Sequence, residues 1–242
     1  MTPSRVVVSD LRKRFGRLEA LCGLDVAIRP GRITAVVGPN AAGKTTFIKT
    51  ILGLVRPERG GGCVAVDGIT VNGGAEYRER IGYMPQAACF PERLTGRELI
   101  RFLTRLRNDP ADLDLELVGR FRLEPSLDRP LRTLSGGTRQ KINAVTAFLF
   151  RPSLLILDEP TAGLDPVAAG ILKDKVGRAP AEGTTVLLTS HIMSEVEELA
   201  QDLVFLVEGA VAFQGPVEAL LARSGESRLE RAMARLLEET AE

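Results

Sequence analysis

Ile33-Thr34-Ala35-Val36-Val37-Gly38-Pro39-Asn40-Ala41-Ala42-Gly43-Lys44-Thr45-Thr46-Phe47-Ile48 is the stretch on which the fold turns. Ile33 to Val37 carries no charge and ends at a glycine, the pattern of a strand buried in a parallel sheet. After Gly43, the residues Phe47, Ile48, Ile51 and Leu52 recur at helical spacing. The segment between, from Gly38 through Pro39, Asn40, Ala41, Ala42 and Gly43 to Lys44, Thr45 and Thr46, reads as a phosphate loop. Its glycines let backbone N–H groups turn inward around phosphate oxygens, and the helix N-terminus adds a field that favours an anion. Lys44 is placed to reach β and γ phosphates, and the Thr45 hydroxyl to ligate Mg²⁺. At Ala41, between the two glycines, a positive φ costs ~1 kcal/mol or more.

Further along, Leu154-Leu155-Ile156-Leu157-Asp158-Glu159 is an apolar strand that ends in two carboxylates. A charge at that place needs a partner. Mg²⁺, held through water, suits Asp158, and Glu159 is placed to orient and polarise an attacking water. Ahead of that strand, Leu134-Ser135-Gly136-Gly137-Thr138 opens a helix, so its glycine amides add a second anion-binding helix start.

The order of these segments resembles the ATPase subunit of ATP-binding cassette (ABC) proteins over nearly the whole chain. The resemblance implies ATP and Mg²⁺ as cofactors and assigns further roles. His191, the chain's one histidine, becomes the switch histidine that contacts the γ-phosphate and holds the attacking water. Gln86, in Tyr83-Met84-Pro85-Gln86, becomes the glutamine-loop residue that touches Mg²⁺ and links core to helical region. Phe15 resembles the aromatic that stacks on adenine, where tyrosine is commoner. Asp165, in Ala162-Gly163-Leu164-Asp165, belongs to the loop that crosses to a second subunit. Ser135, Gly136 and Gly137 close over ATP held by that second copy. Thr138 and Arg139 depart from the usual glutamine, while Gln140-Lys141 fits an export-type pattern.

Composition sets the frame. The chain has 242 residues, 32 Lys and Arg against 31 Asp and Glu, and 44% hydrophobic residues. That supports a conventional core, and with no basic excess no nucleic-acid partner is expected. No apolar run approaches the ~18 residues of a membrane span. Met1-Thr2-Pro3-Ser4-Arg5 shows no signal-peptide core, so a cytosolic chain is expected. Cys22, Cys63 and Cys89 form no CxxC pair and read as small buried residues.

The expected fold is α/β: a P-loop core with a mainly parallel sheet, an N-terminal antiparallel β flap (Val6–Val8, Leu24–Ile28) and an inserted α-helical subdomain. One domain is expected over 1–242, with the nucleotide-binding core at 1–87 and 152–215, the helical part at 88–151 and a helical tail at 216–242. In the helical part, Leu99, Phe102, Leu103 and Leu106 share one spacing, and Leu113, Leu117 and Phe121 another. Arg97, Arg101 and Arg105 read as a solvated face. In the tail, Glu226 to Glu242 reads as an amphipathic helix docked on its own domain.

The resemblance implies an ATP-hydrolysing subunit that dimerises head to tail on ATP and drives separate integral-membrane permease chains from the cytoplasmic face. The tail, Gly215-Pro216-Val217-Glu218 onward, resembles single-domain export ATPases. The stretch from Leu134 to Asp165, with Lys173-Asp174-Lys175, leans towards subunits that serve copper-site maturation of nitrous oxide reductase. The alternative is a soluble ABC ATPase without a permease, such as an iron–sulfur assembly ATPase.

Overall fold

The computed structural model describes residues 4–241. Chain order is β1 (Val6–Phe15), β2 (Leu18–Ile28), β3 (Ile33–Val37), α1 (Lys44–Ile51), β4 (Cys63–Val66), β5 (Ile69–Thr70), β6 (Ile81–Met84), α2 (Gly96–Leu106), α3 (Glu116–Arg120), α4 (Glu124–Leu127), α5 (Gly136–Phe148), β7 (Leu154–Asp158), α6 (Pro166–Arg178), β8 (Thr185–Thr189), α7 (Met193–Leu199), β9 (Asp202–Val207), β10 (Ala210–Pro216), α8 (Val217–Ser224) and α9 (Leu229–Ala241). Six strands form the main sheet in the order β10-β9-β3-β8-β7-β6. All neighbours in it are parallel except the β9–β10 pair. A second sheet, β2-β1-β4-β5, is antiparallel. The architecture is the α/β one expected, with the flap sheet extended by β4 and β5.

β3, β7 and β8 are buried at every position. Their side chains alternate between two cores, as a period of two requires. Ala35, Leu155, Leu157 and Leu188 face the helices of one side, whereas Val36, Ile156, Leu187 and Val204 face α1 and the flap sheet. Each fully buried Leu, Ile or Val contributes about 1.5–3 kcal/mol, so the central strands anchor whatever is attached to their ends. What is attached are the loops after β3, β6, β7 and β8, at one edge of the parallel sheet, where ligands of such sheets bind.

Several local expectations change. The flap strands are longer than the apolar triplets suggested, because β1 continues past Asp10 (φ 44°) through irregular register. The expected helix at Leu113–Phe121 shortens to α3, since Asp114 is drawn into a turn (its Oδ1 accepts from Glu116 N at 3.1 Å) and Arg122 turns left-handed. Arg97, Arg101 and Arg105 are exposed, with Arg97 paired to Asp128 at 2.6 Å. The tail is two helices separated at Gly225 (φ 69°); the helix expected from Glu226 begins at Leu229, and its Leu229, Ala232 and Leu236 dock on the core; Glu242 lies outside the described residues. The cysteine expectation fails: Cys63 and Cys89 are exposed and Cys22 is half-buried. No cluster of His, Cys, Asp or Glu among the described residues is fit to hold a metal by itself.

Candidate functional site

The phosphate loop connects β3 to α1. Gly38 (φ 154°) passes so close to β9 that an added Cβ would sit 2.2 Å from the Leu206 carbonyl oxygen. Gly43 (φ 97°) caps α1, and a Cβ there would meet the Ala20 carbonyl at 2.5 Å. Both positions therefore demand glycine. Ala41 holds φ 65° and so carries the cost foreseen for it. Lys44 is nine-tenths buried and its Nζ donates to the carbonyls of Gly38 (2.7 Å) and Pro39 (2.9 Å). Burial lowers its pKa, with Glu159 and then Asp158 opposing the shift.

Asp158 ends β7 and is nearly buried. The parallel register sets it against Thr189 of β8, whose Oγ1 donates to Asp158 Oδ1 at 2.6 Å. The same Thr189 Oγ1 accepts from Glu159 N at 3.1 Å. Glu159 then leaves the strand with φ 50°, which turns its carboxylate sideways. Gln86 Nε2 donates to Glu159 Oε2 at 3.0 Å, and His191 Nε2 lies 2.9 Å from Oε1. Three candidate catalytic side chains from three strand ends thus meet at one carboxylate. Tyr83, on β6 beside them, has its pKa pushed up to about 12 by burial and then by the Asp158 charge.

These groups open into a cavity of about 440 Å³, lined by Asn40 to Thr46, Gln86, Asp158, Glu159 and His191, together with Phe15, Leu18 and Ala20. Phe15 is half exposed, and Lys13 Nζ sits 5.2 Å from its ring centre. A ring packed into the core would not be so placed, and its free face suits stacking on a base.

Ser135, Gly136 and Gly137 do not line that cavity. Ser135 caps α5: its Oγ accepts from Thr138 N at 3.2 Å and lies 2.8 Å from Thr138 Oγ1. Gly136 has open space where a Cβ would stand. Asp165 caps α6 through Ala168 N (2.8 Å) and pairs with Lys141 Nζ of α5 at 2.8 Å. The Lys141 hydrogen bond, then the cap, hold its carboxyl below the usual range.

Two supports were absent from the sequence reading. Thr189 is found only once the β7–β8 register is known. Gln140 and Asn143 of α5 hold the glutamine loop by donating to the carbonyls of Gln86 (3.3 Å) and Pro85 (2.8 Å); their spacing on one helix face was the available signal.

Known proteins resemble this chain in sequence and in fold. The sequence model of the family described as ABC transporter matches residues 21–162. A daunorubicin resistance ATP-binding protein of Streptomyces coeruleorubidus is 35% identical over 236 residues, covering 95% of this chain and 74% of that protein. A Nod factor export ATP-binding protein of Ralstonia nicotianae is 34% identical over 219 residues, covering 88% of this chain and 68% of that protein. Among solved structures, the ATP-binding subunit of an ABC transporter superposes with a TM-score of 0.89 at 30% identity, covering 97% of this chain and 100% of that one. An ATP-binding cassette solved as a dimer in a post-hydrolysis state with ADP and Pi shares the fold, with a TM-score of 0.77 at 22% identity, covering 87% of this chain and 98% of that one.

Proposed function

The chain belongs to the ABC transporter family as an ATP-binding and ATP-hydrolysing subunit, and from that premise we propose that it is the motor of an exporter whose permease is a separate membrane chain. The observation that carries the catalytic part of the proposal is the bracketing of Glu159 by Gln86 and His191 beside Lys44 in one cavity.

In this reading ATP enters with its base against Phe15 and its phosphates in the Gly38–Thr46 cradle, which admits no Cβ at Gly38 or Gly43. Lys44 exchanges the carbonyls of Gly38 and Pro39 for phosphate oxygens. Glu159 accepts a hydrogen bond from the attacking water and polarises it, while Gln86 and His191 hold the carboxylate and the water in place. The exposed Thr45 hydroxyl, the Asp158 carboxylate and the Gln86 amide oxygen form an all-oxygen donor set that suits a hard cation. Mg²⁺ bound there would neutralise charge on the phosphates.

The signature loop lies apart from this cavity, so the proposal includes a second copy whose Ser135, Gly136, Gly137 and Asp165 complete the site. ATP favours closure because it binds the closed pair better than the open chains. The helical part, 88–151, and the glutamine loop pass that motion to the permease. No helix among the described residues is long and apolar enough to cross a membrane, and we place the subunit at the cytoplasmic face through its partner. The daunorubicin and Nod factor relatives support export; the lean towards nitrous oxide reductase maturation finds no support among them.

The test is purification of Glu159→Gln, which should hold ATP without turnover, from native membranes in mild detergent with ATP. We expect a polytopic membrane protein to accompany it. A purely soluble partner set would overturn the exporter reading in favour of an assembly ATPase.

A further inference from the structure

Lys173-Asp174-Lys175 lies on α6, outside the nucleotide cavity, and the catalytic account leaves it without a role. Lys173 reaches α7, while Asp174 and Lys175 both reach α3. Lys173 Nζ bonds Glu198 Oε2 of α7 at 2.5 Å. Asp174 Oδ2 accepts from Arg120 Nη2 of α3 at 2.8 Å. Lys175 Nζ, almost wholly buried, donates to Asp114 Oδ2 at 2.6 Å and Glu116 Oε2 at 2.7 Å, at the start of α3, and lies 5.7 Å from the Phe148 ring centre of α5. Arg178, one turn on, bonds Glu116 Oε1 at 2.5 Å.

Two of the elements joined, α6 and α7, lie next in the chain to the catalytic strand ends. α7 begins just after His191, and its Glu195 Oε2 accepts from Thr161 Oγ1 (2.9 Å) and Ser190 Oγ (3.2 Å), which flank Glu159 and His191 in sequence. α6 begins at Asp165, which is tied to the signature helix α5 by Lys141. Its first end therefore meets the signature helix, and its second end meets α3 and α7 together.

We propose that Lys173-Asp174-Lys175 is a positioning node, whose ion pairs hold the helical part and the switch helix α7 in one register with the Glu159–His191 pair. The inference rests on the ATPase reading above. Two alternatives fit the cluster less well. Asp114, Glu116 and Asp174 are balanced by Arg120, Lys175 and Arg178, so no net charge remains for a metal or an anion. A device for stability alone is also a weak explanation, because apolar residues would hold α6 on α3 at least as well as a buried ion pair, and exposed pairs such as Lys173–Glu198 add little. Fixed, directional contacts are what charges supply and apolar packing does not. The pairing is strong for its setting. The Lys175 hydrogen bond, then that of Arg178, hold the Glu116 carboxyl down at about 2. Burial opposes the Lys175 ammonium, yet Asp114 and Glu116 outweigh it and raise its pKa.

A charge swap tests the node. The full chain is purified as Lys173→Glu, as Glu198→Lys and as the double variant, and ATP turnover and melting are measured. Each single change should lower kcat about fivefold or more, with KM for ATP within about twofold and little change in melting; the double variant should recover kcat. A kcat near wild type in the single variants, or a double variant as slow as the singles, would overturn the node. Lys175→Met should lower kcat per folded molecule, and Lys175→Arg should restore it. Equal melting losses with unchanged kcat would assign Lys175 to stability alone. Wild-type turnover that survives Glu159→Gln would instead remove the catalytic assignment on which the node rests.

Discussion

Ala41 and Glu159 sit in left-handed backbone, at φ 65° and 50°, where a residue with a Cβ costs about 1–2 kcal/mol. The two costs have different consequences. At Glu159 the strained turn swings the carboxylate off the line of β7 towards Gln86 and His191, so the strain belongs to the site's geometry. At Ala41 the side chain is exposed on the rim of the phosphate cavity and contributes no polar group. Ala41→Gly should therefore relieve backbone strain. Part of the gain is offset, because glycine loosens the unfolded chain by roughly 0.5–1 kcal/mol. The net expectation is a melting temperature higher by up to about 4 °C, with ATP binding kept. A lower melting temperature would show that the loop does not hold φ > 0 in solution.

At the scale of elements, α5 is more than the helix behind the signature loop. Its Asn143 Nδ2 donates to Pro85 O and its Gln140 Nε2 to Gln86 O, so one helix face fixes the segment that carries Gln86 to Glu159. Asn143 is 1% exposed. Asn143→Ala should leave a carbonyl unpaired and destabilise the chain by about 1–3 kcal/mol. Turnover should fall further than stability explains, because Gln86 loses its anchor; calorimetry beside steady-state kinetics would show it, and unchanged kcat would free Gln86 from α5. This link also marks where sequence reading stops. β3, β7 and β8 were legible because strands buried on both faces leave mostly apolar runs, and the phosphate loop because its glycines and lysine lie within seven residues. The length of β1 was not, since its second half is polar and irregular in register. α3 was overestimated because Leu113, Leu117 and Phe121 have helical spacing, whereas the Asp114 turn that shortens the helix is also tied to Lys175, far along the chain. Thr189 stayed hidden for the same reason: it matters only through the strand lying beside it. Cys63 and Cys89 were misjudged because residue type alone does not report which side of a strand or loop faces water.

At the scale of the whole molecule, the proposed function divides the work between two separate parts of the chain. One is the phosphate cavity with Lys44, Glu159 and His191; the other is the Ser135–Gly137 helix start, which shares no lining with it. In the proposed mechanism a single chain binds nucleotide and a second copy encloses it. Ser135→Ala separates the two functions. The change removes an N-cap worth about 1 kcal/mol, but α5 is held by Ile142, Ala144, Val145 and Phe148 in the core, so the fold should survive. In the Glu159→Gln background, which keeps ATP unhydrolysed, binding to the single chain should stay within about twofold, since Ser135 contributes nothing to that cavity. The ATP-dependent dimer, followed by sedimentation, should be lost or strongly weakened, because the serine hydroxyl and the capped helix start no longer meet the partner's γ-phosphate. If Ser135→Ala abolished binding to the single chain, the signature loop would act within its own subunit and the shared site would be wrong. If the dimer formed undiminished, closure would rest on the Gly136 and Gly137 amides and on Asp165, and the serine would be only a helix cap.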